Sequence, residues 1–544
     1  MKKFFTLVAA ALCAMNMMAK DYTGSMVVTV NESGHTMLQD KSITVEKQDN
    51  GKYHLAVKNF MFGPMNVGTI DVKDLDAEPG ANGQLAEIVY DGPVTIAKNE
   101  DGTGMLGGIT VKMSLLVALS EKVMAADMNI QVPEPFSQEV DVEFQSNGTQ
   151  IANSDFEEFH TASVTEPIDP DFPTDDPATV TSDEPNNWHS FMSASSEIPA
   201  LIYMAGYNPV TFISDDVRPG SEGKKSVLLK SVDMYIAIAN GTITTGRMNT
   251  GSATASDTDK NYAWMDTSTT DVDAHGDPFY ATLVTKPDAI KFWAKFKQGT
   301  SNAEHPYATC SAIITDGTRF QEPAPTDVTY TNVVAEARNP KIAETGDEWK
   351  EFNIPFEYKD NNLEPKAILV TLSTNADAGM GSDGDKLYVD DLSLVYNNDM
   401  TSLKYKGKEV QMIKSEDYDG EGAVNIDPYT PCSYNDFTVE TNGAGAYVTK
   451  KWKYNEDWEQ WELYIYVTAA DLSDSKEYCI TNLGGFYPED SEISTGIKNA
   501  TAITLPSGVQ AIYNLAGQQV NDMQKGQVYI VKYTNGQTKK MIKK

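Results

Sequence analysis

Cysteine is scarce in this chain, which contains only four in 544 residues. Cys13 falls in the apolar segment at the N-terminus, so Cys310, Cys432 and Cys479 remain for the rest of the chain. An odd number of thiols excludes a complete disulfide framework, so hydrophobic cores must supply the stability. Cys432 and Cys479 fall within one predicted domain and could pair, but two buried thiols explain them at least equally well.

Positive charge is also in short supply. Lys and Arg number 43 against 78 Asp and Glu, which gives a formal net charge of −35. Such an acidic surface repels nucleic acid and anionic lipid headgroups, so neither is predicted as a partner. Neutral ligands, cations and basic partners are compatible with this charge, and an acidic surface also serves simply to keep an exported protein soluble.

Recognisable catalytic motifs are missing. The six histidines are scattered along the chain without an HExxH pair, and the segment Gly220–Gly223 lacks the spacing of a nucleophile elbow. No phosphate-binding loop or dinucleotide-binding glycine pattern occurs either. Whether the chain is an enzyme therefore stays uncertain on sequence grounds, and a non-catalytic role is favoured.

Long apolar runs are absent after the first residues, and none approaches the length of a membrane-spanning helix. At the N-terminus, Lys2 and Lys3 precede the apolar run Phe4–Met18, which Ala19 closes. This order predicts a cleaved export signal over residues 1–19 and a mature protein at the outer cell surface or in the medium. Lipidation near the signal is the less favoured alternative, because the residue before its cysteine is a leucine instead of a small residue.

What the chain has in abundance is alternation of polar and apolar residues with a period of two. Segments such as MVVTV, SITVEK, ITVKMSL and VDVEF are separated by turn signals that include DNGK and SNGT. This pattern predicts an all-β, multidomain fold made of short antiparallel strands. The segment Leu115–Ala126 could form a short helix instead.

Changes in strand length and composition divide the chain, after the signal, into four blocks over residues 20–147, 148–397, 398–494 and 495–544. The short alternating strands of the third block are typical of an immunoglobulin-like sandwich. In the last block, VYIVKYTNGQTKKMIK alternates around an Asn-Gly turn signal, so we expect a hairpin there. A proline-rich and acidic stretch between Thr165 and Pro185 is predicted to be a solvated loop inserted in the second block.

Three blocks resemble known modules. The first, with its opening YTGSMVVTVN and its closing VDVEFQSNG, resembles the calycin-like domains of exported bacterial proteins. The second resembles the putative carbohydrate metabolism domain, a jelly-roll module, through NNW, ANGTITTGRM and DPFYATLVTKPDAIKFWAKF. The tail resembles the type A sorting domain of type IX secretion through VQAIYNLAGQQV and KGQVYIVKYTNGQTKKMIKK.

These resemblances imply a Gram-negative bacterial protein with a calycin-like antiparallel barrel, a jelly-roll sandwich, an immunoglobulin-like sandwich and a small C-terminal β domain. The tail would then engage the secretion machinery. The implied role is non-catalytic binding, with a glycan as the ligand of the jelly roll. Two alternatives remain, namely a glycoside-processing enzyme with a carboxylate pair in the jelly roll and an adhesin-like surface protein that binds another protein.

Sugar recognition relies on aromatic faces that lie beside amides and carboxylates. The sequence offers that mixture around Trp188, which stands between an asparagine and a histidine, and again at Tyr262, Trp264 and Asp266. We predict these four residues as ligand contacts. The ordinary alternative is that the rings cover the edge of a core.

A structural calcium ion is the metal hypothesis. In jelly-roll carbohydrate modules the first and last strands often lie side by side, and their carboxylates can share an ion. Asp155 and Glu157 open the second block, and Asp390 and Asp391 close it. Strand alternation would turn Asp390 and Asp391 to opposite faces, so only one of these two side chains is expected to coordinate the ion. The alternative is that all four acids are solvated strand ends.

Overall fold

The computed structural model describes residues 19–62, 64–79, 84–168, 176–234, 237–360, 362–489, 509–513, 528–533 and 538–542. Within these ranges the chain consists of β-strands, short turns and one α-helix. The all-β, multidomain prediction is therefore confirmed. The predicted export signal and most of the predicted sorting domain lie outside the described residues. No helix of the described part is long and apolar enough to cross a membrane.

The first block forms a single nine-stranded antiparallel sheet that curls into a nearly closed barrel. Its strands are β1 (Lys20–Val30), β2 (Ser33–Lys47), β3 (Tyr53–Phe62), β4 (Met65–Leu75), β5 (Ala77–Pro79), β6 (Leu85–Thr95), β7 (Thr110–Ser120), β8 (Met124–Val132) and β9 (Gln138–Ser146). They are hydrogen-bonded in the order β4-β3-β2-β1-β9-β8-β7-β6-β5. Thr69 of β4 also pairs with Ala97 just after β6, which draws the two ends of the sheet together. Packed side chains such as Met26, Ile43 and Met113 fill the interior.

The helical alternative for Leu115–Ala126 is wrong. Strand β7 ends at Ser120 and β8 begins at Met124, so the segment is two strands joined by a tight turn. Val117 is buried and Leu116 is exposed, which is the two-residue period of a strand with one face on the core.

The second block is an arrangement of antiparallel sheets with one short helix, α1 (Pro199–Gly206). Its strands are β10 (Phe159–Thr165), β11 (Thr179–Pro185), β12 (Thr211–Ser214), β13 (Ser226–Lys230), β14 (Val232–Asp233), β15 (Ile238–Ala239), β16 (Thr242–Thr244), β17 (Arg247–Thr250), β18 (Asn261–Met265), β19 (Ala281–Thr282), β20 (Ala289–Lys297), β21 (Ala308–Thr315), β22 (Phe320–Glu322), β23 (Val333–Ile342), β24 (Lys350–Pro355), β25 (Glu357–Tyr358), β26 (Ala367–Ser373) and β27 (Lys386–Val395).

Two of these sheets cover one large hydrophobic core. The five-stranded sheet β12-β13-β27-β20-β24 contributes buried residues such as Phe292 and Val389. The six-stranded sheet, which runs β16-β26-β21-β23-β25 with β19 also on β26, contributes Ala312 and Val370 to the same cluster. Because each strand buries alternate residues, the outer face of each sheet is left for polar side chains.

Part of the predicted loop between Thr165 and Pro185 is in fact a strand. Residues Thr179–Pro185 form β11, which pairs with β10 as an antiparallel hairpin. The register places Glu184 directly opposite His160. The acidic and proline-rich residues of the connection lie largely outside the described ranges.

The third block has three sheets, of three, five and two strands, and its own core, which contains Leu403, Trp452 and Ile465. Its strands are β28 (Met400–Tyr405), β29 (Lys408–Glu409), β30 (Met412–Ile413), β31 (Gly420–Val424), β32 (Pro431–Cys432), β33 (Phe437–Thr441), β34 (Tyr447–Asn455), β35 (Gln460–Thr468), β36 (Ser475–Asn482) and β37 (Tyr487–Pro488). Two pairs, β31 with β36 and β32 with β37, are parallel. The described thiols Cys310, Cys432 and Cys479 are all buried, and no disulfide joins them.

In the tail the structure describes three strands, β38 (Val509–Tyr513), β39 (Val528–Tyr533) and β40 (Thr538–Ile542). Strands β39 and β40 pair antiparallel, which confirms the predicted hairpin on either side of the Asn-Gly signal. Strand β38 pairs with the other edge of β39.

Candidate functional site

A cleft with a volume of about 440 Å³ lies on the outer face of the six-stranded sheet in the second block. Strand alternation explains its floor: Ala312 and Val370 point into the core, and their neighbours Ser311 and Thr371 point into the cleft. Helix α1 and the small sheet β17-β18-β22 supply the walls. Most of the lining is apolar and includes Leu201, Met204 and Met248. The polar and aromatic residues of the lining are Phe191, Asn240, Thr242, Asn249, Thr250, Ser252, Asn261, Tyr262, Thr309, Ser311, Glu322, Arg338, Thr371, Ser373 and Asn375.

An ion pair between Arg338 and Glu322 lies in this cleft. Arg338 Nη2 is 3.0 Å from Glu322 Oε2, and Nη1 contacts the second carboxylate oxygen. Nη1 also donates to Ser311 Oγ at 3.1 Å. Among the described residues that line the cleft, Glu322 has the only carboxylate. This lining does not contain the carboxylate pair that glycoside hydrolysis requires.

Of the predicted sugar contacts, Tyr262 lies at the cleft. Its ring is half-buried, and its hydroxyl accepts a hydrogen bond from Arg319 at 3.4 Å. Trp264, two residues further along β18, is not part of the lining and lies under the Arg319 guanidinium at 4.4 Å from the ring centroid. Asp266 caps the turn that follows the strand by accepting the Ser268 amide at 2.9 Å. The structure thus brings Tyr262 to the cleft and leaves Trp264 and Asp266 outside it.

Trp188 is 0% exposed and belongs to the sandwich core. Its ring packs against Phe156, with ring centroids 5.2 Å apart. Its Nε1 donates to the carbonyl oxygen of Ala152 at 3.3 Å. The ring therefore contacts only other parts of the protein, as expected if Trp188 covers the edge of a core instead of binding a ligand.

The four predicted calcium ligands interact electrostatically with one another. Burial raises the pKa of Asp155, and the charges of Glu157 and Asp391 act in the same direction. Burial also raises the pKa of Asp390 to about 6. Asp390 Oδ1 is buried and accepts no hydrogen bond, whereas Glu157 Oε1 accepts two backbone amides at 2.8 Å. The calcium ion at these acids stays a prediction.

The expectation that alternation separates Asp390 from Asp391 is wrong. The pairing register between β20 and β27 shifts between Lys291 and Trp293, opposite these two acids, and Asp391 adopts a φ of 44°. This bulge turns both carboxylates toward Arg218. The Arg218 amide donates to Asp390 Oδ2 at 2.8 Å, and its guanidinium pairs with Asp391.

A second group of chemically reactive side chains was missed by sequence reasoning. His160, Glu184, His189 and Asp273 come from a hairpin and two loops, and their ligand atoms face one another. Burial lowers the pKa of His189, which favours a neutral imidazole there. No local spacing indicates this cluster, because its members meet only through tertiary structure. The sequence singled out His189 only as the neighbour of Trp188, and not as a member of this cluster.

Two family models match the chain. Residues 18–148 match the calycin-like β-barrel domain, and residues 178–395 match the putative carbohydrate metabolism domain. Both matches confirm the resemblances predicted for the first two blocks, and the nine-stranded barrel agrees with the first. The comparison with curated proteins found no match.

Solved structures with some similarity include a "putative glycoside hydrolase" from Bacteroides thetaiotaomicron, with 15% identity, a TM-score of 0.32 and coverage of 51% of this chain and 80% of that one. A carbohydrate-binding module of the β-sandwich superfamily has 9% identity, a TM-score of 0.19 and coverage of 62% and 96%. A "putative outer membrane protein" from Bacteroides fragilis has 9% identity, a TM-score of 0.16 and coverage of 65% and 96%. Likeness at these TM-scores is too distant to carry an argument about fold or activity.

Proposed function

We propose that this chain is an exported, non-catalytic protein that binds glycans in the cleft beside Tyr262. The observation that carries the proposal is the composition of the cleft. A half-buried aromatic ring and amide groups lie on the wall, and hydroxyl side chains lie on the floor. Such a surface offers a stacking face for a pyranose ring and hydrogen-bonding groups for its hydroxyls. The match of residues 178–395 to a carbohydrate metabolism domain supports a sugar as the ligand.

The experiment is a glycan array probed with the full mature chain, followed by calorimetry on the best ligand. Tyr262→Ala should weaken binding about tenfold, because a stacked aromatic contact contributes about 1 kcal/mol. Tyr262→Phe keeps the stacking face and should retain most of the affinity. Tyr429→Ala is the matched control, because Tyr429 is 85% exposed in the third block.

Two results would contradict the proposal. Equal affinity in wild type and Tyr262→Ala would remove the cleft as the sugar site. Cleavage of the bound saccharide by the purified protein would support the glycoside-processing alternative. In that case Glu322→Gln tests the carboxylate of the cleft, and loss of turnover in that variant would assign the reaction to it.

We further propose that the sandwich of the second block is a jelly roll, that the third block is immunoglobulin-like, and that the protein reaches the cell surface or medium through its tail. The paired strands β39 and β40 support a folded C-terminal unit. Deletion of residues 495–544 should leave the protein in the periplasm, whereas the full chain should be found outside the cell. Equal export of both forms, measured by fractionation, would contradict the sorting role.

A further inference from the structure

Three side chains in the second block, His160, Glu184 and Asp273, converge on one buried point, and His189 borders it. His160 Nε2 lies 3.4 Å from Asp273 Oδ2 and 3.7 Å from Glu184 Oε2, and His189 Nδ1 lies 3.6 Å from the same Asp273 oxygen. The exposed fraction of these side chains is 9% for His160, 1% for Asp273 and 0% for Glu184 and His189. Two carboxylates and two imidazoles therefore share one small volume that water barely reaches.

Each of the two carboxylates, Asp273 and Glu184, accepts hydrogen bonds at one oxygen and none at the other. Asp273 Oδ1 accepts three backbone amides, from His275 at 2.9 Å and from Gly276 and Asp277 at 2.8 Å. Glu184 Oε1 accepts the Ser190 amide at 2.6 Å. Their second oxygens, Asp273 Oδ2 and Glu184 Oε2, are buried without a hydrogen bond. A buried carboxylate oxygen without a partner is costly, and two that face each other repel.

The His160 ring is held so that its Nε2 faces both bare carboxylate oxygens. Its Nδ1 lies 3.1 Å from Asn186 Oδ1, which can only accept, so Nδ1 carries a proton and Nε2 is the nitrogen that a metal ion would bind. His189 Nε2 likewise lies 3.1 Å from the carbonyl oxygen of Pro278 and carries a proton. A metal-binding histidine is normally held in this way by an outer acceptor.

The separations fit a tetrahedral ion better than an ion pair. Ligand bonds of about 2.0–2.2 Å around tetrahedral Zn²⁺ place neighbouring ligand atoms about 3.3–3.6 Å apart. The distances from His160 Nε2 to the two carboxylate oxygens, 3.4 and 3.7 Å, lie close to this range. They exceed the 2.7–3.2 Å or so of an ordinary N–H···O hydrogen bond. A divalent ion would also neutralise the two carboxylates, which removes the repulsion.

We propose that His160, Glu184 and Asp273 bind a divalent transition-metal ion of the zinc type. Imidazole ligands select such an ion over Ca²⁺, which takes six to eight oxygen ligands. This site is therefore separate from the predicted calcium position at Asp155 and Asp390, and it does not depend on glycan binding.

The site has three protein ligands, so one position of a tetrahedral ion is left for water or another ligand, which is the pattern of an open zinc site. The ion would join the β10–β11 hairpin to the loop around Asp273. His275 covers the site from outside by stacking on His160, with ring centroids 4.6 Å apart and an interplanar angle of 8°.

The first test measures the metal content of the full mature chain, purified from zinc-supplemented medium, by mass spectrometry. About one Zn²⁺ per chain is expected, and removal by a chelator should lower the Tm until Zn²⁺ is added back. Excess Ca²⁺ should not restore it. Replacement by Co²⁺ should give the intense visible absorption of a tetrahedral centre.

Variants separate the proposed ligands from other histidines. His160→Gln and Asp273→Asn should each lose the bound Zn²⁺, whereas Asn186→Ala, which removes the outer acceptor of His160, should weaken affinity about 10- to 100-fold. His305→Gln is the control, because His305 pairs with Asp377 in another part of the same block. Circular dichroism of each variant checks that it is folded.

The proposal would be overturned by a wild-type protein that binds no Zn²⁺ and has the same Tm with zinc and with chelator. The cluster would then be an ion pair between a protonated His160 and its two acids. Full zinc binding by a double His160→Gln, Asp273→Asn variant would place the ion elsewhere and would equally refute it.

Discussion

Glu184 lies directly opposite His160 in the register of the β10–β11 hairpin, and the two side chains approach to 3.7 Å between Oε2 and Nε2. Directly opposed residues of an antiparallel pair project on the same face of the sheet, so the backbone alone holds this histidine and this acid together. Asp273 reaches the same place from a loop. Two of the three proposed metal ligands are thus held together by strand pairing, and the third depends on the packing of that loop.

Replacement of Trp188 should destabilise the second block severely. Trp188→Ala should lower the free energy of unfolding by about 3–5 kcal/mol, because it leaves a large cavity in a well-packed core. Trp188→Phe should cost less, since a ring still faces Phe156. Differential scanning calorimetry of the full chain measures the transition. Trp458→Ala is the control, because that ring is 75% exposed, and a change of under about 0.5 kcal/mol is expected. Equal effects of both alanine variants would contradict the core assignment.

The sequence predicted the strands well because period-two alternation is a local signal. Leu116 and Val117 show how the signal works, since one is exposed and the next is buried. The same reasoning failed at Asp390 and Asp391, where a bulge breaks the alternation. Bulges depend on how two strands pair, so a single strand's pattern does not reveal them.

The candidate site was predictable only in part. Tyr262 was identified because an aromatic residue beside an amide suits sugar binding, and it does line the cleft. Trp188 offered the same local signal, and only tertiary packing distinguishes it as a core residue. The floor residues Ser311 and Thr371 have no distinctive motif. They become part of a site because their strands are neighbours in the sheet.

Asp390 should make stability depend on pH in a specific window. Its pKa in the folded state is about 6, above its usual 3.8, because burial disfavours the charge. Between about pH 4 and pH 6 the Asp390 carboxyl is therefore protonated in the folded state and ionised in the unfolded state. This difference stabilises the folded state fully below about pH 4, and the stabilisation is lost as the pH rises through about 6. The difference in free energy of unfolding between wild type and Asp390→Asn, measured by calorimetry from pH 4 to 7 in chelator, should shift in favour of the variant by up to about 3 kcal/mol.

The same pH series is repeated in saturating Ca²⁺ to test the predicted calcium site. An ion at Asp155 and Asp390 stabilises the ionised carboxylate, so saturating Ca²⁺ should abolish the wild-type decline. Asp347→Asn is the control, because that side chain is 85% exposed, and it should follow wild type. Identical curves for wild type in calcium and in chelator would remove the calcium hypothesis. Identical curves for wild type and Asp390→Asn would contradict the raised pKa.

The three described thiols should be inert in the native protein. Burial raises the pKa of Cys310 to about 12, and burial together with the charge of Glu462 raises that of Cys479 to about 12. Cys432 is also buried. A thiol reagent such as Ellman's should label none of them at neutral pH and all three after unfolding without reductant. A single reactive thiol after unfolding would instead indicate a disulfide between Cys432 and Cys479.

Lys451 should hold the barrel against the third block. Its Nζ lies 2.9 Å from Glu78 Oε2 and 2.8 Å from Glu87 Oε2, and both acids belong to the barrel. The lysine side chain is only 22% exposed, so these contacts are less screened than ordinary surface pairs. An apolar contact of Leu85 with Leu472 supports the same junction.

Lys451→Ala should therefore weaken this junction by about 1–2 kcal/mol, because two charge-assisted hydrogen bonds are lost and two acids remain without their cation. Calorimetry should show the barrel transition separating from the rest and moving to lower temperature. Lys453→Ala is the matched control, because Lys453 pairs with Glu477 inside the third block. High salt should shrink the difference between wild type and Lys451→Ala. An unchanged barrel transition at low salt would show that the apolar contact alone holds the two blocks together.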